Sequence, residues 1–168
     1  MRNQDDEFNF RMIQNRLSIW LHPSIKLYYH PKSSLISLFK QYYGYGFYKI
    51  RVFQKRKGFA SIRHLIPLIF VISFGAAFLL FLFKKNIIVL LMLITVYLSF
   101  SLIFTIYEAV KKRRLGNFIL FLPLCYITLH LSYGLGSLIG LIYFSKRWND
   151  TSLKDEFFNK KLFYNLGE

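Results

Sequence analysis

The sequence predicts a mainly α membrane protein: a small α+β region at the front, an amphipathic interface helix, and three transmembrane helices. Three observations carry that expectation. Of the 168 residues, 54% are apolar and 20% aromatic, with a mean hydropathy of +0.33, which is beyond the usual range of a soluble domain of this size. Three runs, 65–83, 87–107 and 118–144, contain no Asp, Glu, Lys or Arg. Each is long enough to cross a bilayer, because a helix of about 20 residues spans about 30 Å. Ahead of them, residues 33–64 place aromatic side chains at helical spacing with lysines beside them, the pattern of a helix at a membrane surface.

The front region comprises residues 1–32. From Asp5 to Asn15 the spacing suits a short helix with Phe8, Met12 and Ile13 on one face. Asp5, Asp6 and Glu7 stand in its first turn, where each carboxylate gains about 0.3–1 kcal/mol from the positive helix end. The other reading of the cluster is chemical, since a positioned carboxylate can abstract a proton or hold a metal. From Leu17 to Tyr29, "LSIWLHPSIKLYY" is rich in branched and aromatic residues broken by Pro23, which predicts two short strands around a turn.

In the second region, residues 33–64, Ser33 and Ser34 after Pro31 form a helix start. Leu35, Leu38, Phe39, Tyr42, Tyr43, Phe47, Ile50 and Phe53 then follow at three- and four-residue spacing. Lys40, Tyr42, Tyr43, Lys49 and Arg51 are the expected membrane-interface residues, with packing on a soluble domain the alternative. Gly44 and Gly46 interrupt the stripe, each costing up to ~1 kcal/mol in a helix interior. Either the helix breaks there or something approaches its backbone closely.

Residues 65–145 hold the three spans. The first begins after 64 residues, too deep in the chain for a cleaved signal peptide, so it is expected to be a permanent anchor. The third run is longer than a bilayer requires. Pro123 is expected to mark where an interfacial turn becomes the span, and Gly134, Gly136 and Gly140 permit close helix packing. His130 is an ionisable group at membrane depth, either functional or hydrogen-bonded to a neighbouring helix. Residues 146–168 form a basic, aromatic tail expected to lie along the surface.

Lys and Arg number 23 against eight Asp and Glu, giving a net charge of +15. Twelve of the 23 precede Leu65, two lie at 84–85, four at 111–114 and five after Phe144. A cytoplasmic N-terminal region with three crossings puts 16 inside and seven outside, as the positive-inside rule favours. The charge flanks apolar spans and belongs to no nucleic-acid-binding module. Anionic lipid is therefore the expected partner, and nucleic acid is not. The lone Cys125 can form no intramolecular disulfide and reads as an apolar filler, and no zinc site is expected from one cysteine and four scattered histidines.

The order of these pieces resembles the C-terminal part of membrane-bound family 2 glycosyltransferases of the succinoglycan-biosynthesis type. The counterparts are "NQDDEFNFR", "LSIWLHPSIKLYYHPKSSL", "FKQYYGYGFYK", "RHLIPLIFV" and "HLSYGLGSLIGL", which together reach from about Arg2 to Tyr143. The resemblance implies a GT-A catalytic domain of which 1–32 would be the C-terminal remnant. It also implies inverting sugar transfer from a nucleotide sugar to a lipid-linked or saccharide acceptor, in polysaccharide or glycolipid synthesis at the bacterial inner membrane. Aligned on Arg11, the family's glutamate-aspartate pair falls on Gln4 and Asp5, so Asp5 is the implied general base, with Asp6, one position away, as the runner-up. Gln41 matches the glutamine of the family's "QxxRW" element, while Gly44 and Tyr45 replace its Arg and Trp. Gln41 and Tyr45 are thus the implied substrate-binding pair, Tyr45 by stacking on a sugar ring, or else as an interfacial anchor.

No Asp-x-Asp and no Gly-rich phosphate loop occurs in the sequence. The chain is therefore expected to lack the nucleotide-binding part and to be inactive alone, with a separate N-terminal half as a partner. It is expected to hold no cofactor itself; the divalent metal, Mg or Mn, is implied only for the complete enzyme. The alternative is a non-enzymatic small membrane scaffold or assembly protein.

Overall fold

A computed structural model describes residues 5, 8–9, 12–13, 15–30, 33–56, 62–113 and 116–148. Four long helices dominate: α1 (Leu35–Arg56), α2 (Ile66–Lys84), α3 (Ile88–Lys111) and α4 (Asn117–Tyr143). A 3-10 turn, Ile62–Leu65, leads into α2, and another, Ser145–Arg147, follows α4. Ahead of them Asp5, Phe8, Asn9, Met12 and Ile13 are helical. That segment stops where Arg16 turns left-handed at φ 57°. The Arg16 and Leu17 amides then return to the Ile13 and Met12 carbonyls at 3.0 and 2.9 Å, the paired bonds of a Schellman cap.

Each long helix starts and stops for a local reason. Ser34 caps α1 by accepting the Ser37 amide at 3.2 Å. Pro67 sits in the first turn of α2, where its missing amide costs nothing. The α2–α3 connection turns on Lys85 at φ 51°, and the Asn86 side chain accepts the Ile88 amide at 3.0 Å. α3 continues past the charge-free run to Lys111, and at its end Glu108 and Lys112 pair at 3.4 Å one turn apart. Gly116, at φ 90°, opens α4.

α2, α3 and α4, with the 3-10 turn before α2, are long and apolar enough to cross a membrane, at 23, 24 and 27 residues. Their packing is inverted relative to a soluble bundle. α3 buries only Ser101, Thr105 and Ala109, and α4 only Ser132, Gly134, Gly136, Ser137 and Gly140. Phe83, Ile88 and Leu120 face outward at 82%, 72% and 72% exposure. Small residues let helices approach closely where lipid covers the apolar exterior, whereas in water such a surface would aggregate.

α1 lies along the C-terminal third of α4, backbone against backbone. A Cβ on Gly46 would strike the Tyr133 carbonyl, one on Gly136 the Tyr43 carbonyl, and one on Gly140 the Phe47 carbonyl. The α1 helix therefore runs unbroken through both glycines, and close approach is what requires Gly46. Gly134 plays the same part toward Pro67 of α2. Ile50, Phe53 and Phe144 close the far end of the α1–α4 seam. There Gln54 donates to the Phe144 carbonyl at 2.8 Å and Arg51 to the Arg147 carbonyl at 3.1 Å. The Phe144 carbonyl also takes the Arg147 amide at 2.9 Å, and donors placed just past a helix C-terminus complement its negative end. Replacing Gln54 with Leu is expected to destabilise the seam by about 1–3 kcal/mol, read as a lower midpoint in a denaturing-detergent titration.

Two expectations are corrected. Among the described residues there is no strand: 17–22 and 25–30 form neither strand nor helix, and Pro23 and Ser24 make a turn. The small α+β region is therefore not seen. Its segments have strand propensity but no sheet neighbour among the described residues, and a lone pair of strands is marginal in water. Pro123 does not divide the third run, since α4 passes through it from Asn117 to Tyr143. The tail from 149 onward, including the rest of 146–168, lies outside the described residues.

Candidate functional site

The first half of α1 holds a compact polar and aromatic cluster. Gln41 and Tyr45 lie one helical turn apart, so their side chains share a face. The Gln41 carboxamide donates to the Tyr45 hydroxyl at 3.0 Å and to the Tyr29 hydroxyl at 3.4 Å. Tyr42 meets Tyr45 edge-on at 5.5 Å, and Phe39 stacks on Tyr43 at 6.4 Å. One amide and two phenols converge beside aromatic rings. Such a surface offers hydrogen bonds and ring faces together, which suits a neutral polyhydroxylated ligand.

The remaining expected residues are placed as follows. Lys40 is exposed, and Tyr42 and Tyr43 are half-buried. Lys49 and Arg51 are enclosed, at 6% and 5% exposure, with Arg51 bound to Arg147 and Gln54. Asp5 is helical and exposed, and no hydrogen bond or ion pair joins it to the Gln41 cluster among the described residues. Asp6 lies outside the described residues. Among those described, no three His, Cys, Asp or Glu side chains gather to hold a metal, so the described residues do not fit the divalent ion that the resemblance implies for the complete enzyme.

Sequence reasoning missed Tyr29, which reaches across to α1 from the segment expected to be a strand. Its only signal was aromatic density ahead of Pro31. It also missed the junction where His64 Nδ1 lies 3.3 Å from the Tyr133 hydroxyl and the His64 ring 6.0 Å from that of Phe53. This junction ties the start of α2 to both α1 and α4. At membrane depth, His130 Nδ1 lies 2.8 Å from the Tyr126 carbonyl and 3.2 Å from the Tyr97 hydroxyl. His130 thus meets α3 through the Tyr97 hydroxyl, and Phe70 and Phe74 of α2 pack against Tyr97 at 4.7 and 6.4 Å.

Over 75 residues the chain is 33% identical to succinoglycan biosynthesis protein ExoA of Rhizobium meliloti (strain 1021). That segment is 44% of this chain and 23% of the relative, so the chain spans less than a quarter of that protein's length. No protein-family profile matches the chain, and no solved structure matches it.

Proposed function

We propose that the chain is the membrane-anchored acceptor side of an inverting glycosyltransferase in polysaccharide or glycolipid synthesis, seated in a bacterial inner membrane with its N-terminal region cytoplasmic. The similarity to a succinoglycan biosynthesis protein carries this reading. The Gln41–Tyr45–Tyr29 cluster, fixed on a helix that is itself packed on an apolar span, supports it.

In this reading the spans hold the chain beside its lipid-linked or saccharide acceptor. Gln41 and Tyr45 orient that acceptor by hydrogen bonds and ring contact. Asp5 takes the proton from the acceptor hydroxyl as the oxygen attacks the sugar's anomeric carbon, and the nucleoside diphosphate leaves from the opposite face. In this reading the nucleotide-sugar site, with its Mg or Mn, lies outside residues 1–168. The described residues offer that ion no cluster of ligands, and no step in this chain depends on it.

Two measurements test the proposal. Vesicles carrying this chain together with a nucleotide-sugar-binding half should transfer labelled sugar to a lipid or saccharide acceptor, and vesicles carrying either half alone should not. Micromolar binding of a UDP-sugar to the purified chain alone, by calorimetry, would overturn the division of labour. In the joint system Gln41→Ala should lower kcat/KM for the acceptor about 10-fold, the equivalent of about 1.4 kcal/mol. Tyr45→Phe, which keeps the ring and removes only the hydroxyl, should cost less.

A further inference from the structure

Tyr29 is the member of the Gln41 cluster that α1 does not carry. It stands 12 residues before Gln41, and its hydroxyl takes a bond from the Gln41 carboxamide nitrogen at 3.4 Å. The Tyr45 hydroxyl takes one from the same nitrogen at 3.0 Å. An amide nitrogen has two N–H bonds and accepts nothing, whereas a phenol oxygen both donates and accepts. Each phenol therefore accepts one N–H here, and the proton of each points away from Gln41 Nε2. Among the described residues the Tyr29 hydroxyl bonds to Gln41 alone, so its O–H is left for a group that is not among them.

This is a poor way to tether a chain and a good way to present a donor. Hydrogen bonds strengthen when water is excluded, yet the Tyr29 bond is long and its ring is 72% exposed. Gln41 and Tyr45, by contrast, are half-buried on α1. With its oxygen engaged by the amide, the Tyr29 phenol turns its proton and its ring toward the open side of the cluster. A ligand there meets phenols that arrive from two different segments of the chain. None of the three bonded side chains carries a charge, so the arrangement suits neutral hydroxyl or ring oxygens better than a phosphate. A sugar ring has such oxygens around its rim and C–H faces that pack on an aromatic ring.

We propose that Tyr29 is a further acceptor-binding residue: its O–H donates to an oxygen of a neutral saccharide unit, and its ring covers the C–H face of that unit. That the saccharide is an acceptor rests on the function proposed above. Gln41 then holds both phenols by their oxygens and so sets where their protons point. The acceptor is read at a sugar beside α1 and not through its lipid alone.

The purified chain in lipid nanodiscs tests this by NMR, with methyl β-glucoside and methyl β-galactoside as neutral probes and methyl phosphate as the anionic one. At least one glycoside is expected to bind and to show nuclear Overhauser contacts between its C–H protons and the Tyr29 ring, assigned by their loss in Tyr29→Phe with only tyrosine labelled. Tyr29→Phe should weaken that binding about 3- to 10-fold, the usual worth of one hydroxyl hydrogen bond, and Tyr29→Ala should weaken it further. Binding of neither glycoside, binding of methyl phosphate alone, glycoside binding without Tyr29 ring contacts, or an affinity unmoved by Tyr29→Phe would each overturn the site. Ring contacts distinguish a residue that touches the sugar from one that only steadies Gln41. Sugar transfer in vesicles separates this site from the function it deepens. Transfer whose acceptor KM is unmoved by Tyr29→Phe removes the Tyr29 site and leaves the function standing. Tyr29-dependent glycoside binding by a chain that supports no transfer upholds the site and removes the function.

Discussion

Replacing Asp5 with Asn is expected to reduce sugar transfer by about 10²- to 10⁴-fold, the usual contribution of a positioned general base. The substitution is nearly isosteric and removes only the proton-accepting charge. Asp5 is exposed, so the folded chain should be unaffected and the loss should fall on kcat rather than on expression or membrane insertion. Asp6→Asn is the companion experiment. If Asp5 is the base, the Asp6 variant keeps most of the activity; a loss confined to Asp6→Asn would move the assignment by one residue. Equal and small losses in both would leave the acidic cluster its electrostatic role at the helix start and nothing more.

The second large effect is structural. Gly136→Ala should weaken the attachment of α1 to α4 by about 1–3 kcal/mol, the usual cost of overpacking a close contact. The added Cβ meets the Tyr43 backbone, which has no flexible end to move aside. Gly75→Ala provides an internal control: it makes the same change inside α2 with nothing within 4 Å of the new atom. Both substitutions gain the same helix propensity, up to ~1 kcal/mol in an isolated helix, so the difference between them isolates the contact. A denaturing-detergent titration that finds the two variants alike would show that α1 does not sit on Gly136.

The three apolar helices were legible because a bilayer imposes a length and forbids charge. The expected 65–83, 87–107 and 118–144 became Ile66–Lys84, Ile88–Lys111 and Asn117–Tyr143. The largest boundary error is at the end of α3, where the helix runs on through the charged residues Glu108 and Lys111 that the charge-free run had excluded. The start of α1 was legible as well, since a serine cap is a local device. Its seating on α4 was visible only as unexplained glycines, because one sequence does not say which backbone approaches which. The strands failed for a related reason: the propensity of residues 17–29 is local, but a strand exists only beside another strand. At the candidate site, Gln41 and Tyr45 were named only by the resemblance, and the hydrogen bond between them is a finding of the structure. The reach of Tyr29 depends on how a turn folds back, which spacing does not encode.

The glycine seam between α1 and α4 also has a mechanical meaning. Side chains can rotate and slide past one another, but two backbones in contact leave little compliance between the elements they belong to. Gln41 and Tyr45 are therefore held at a fixed height and tilt relative to α4. Under the proposed function, an acceptor would have to be delivered to that height, by lateral diffusion within the leaflet or by threading from below, since α1 is not free to reach.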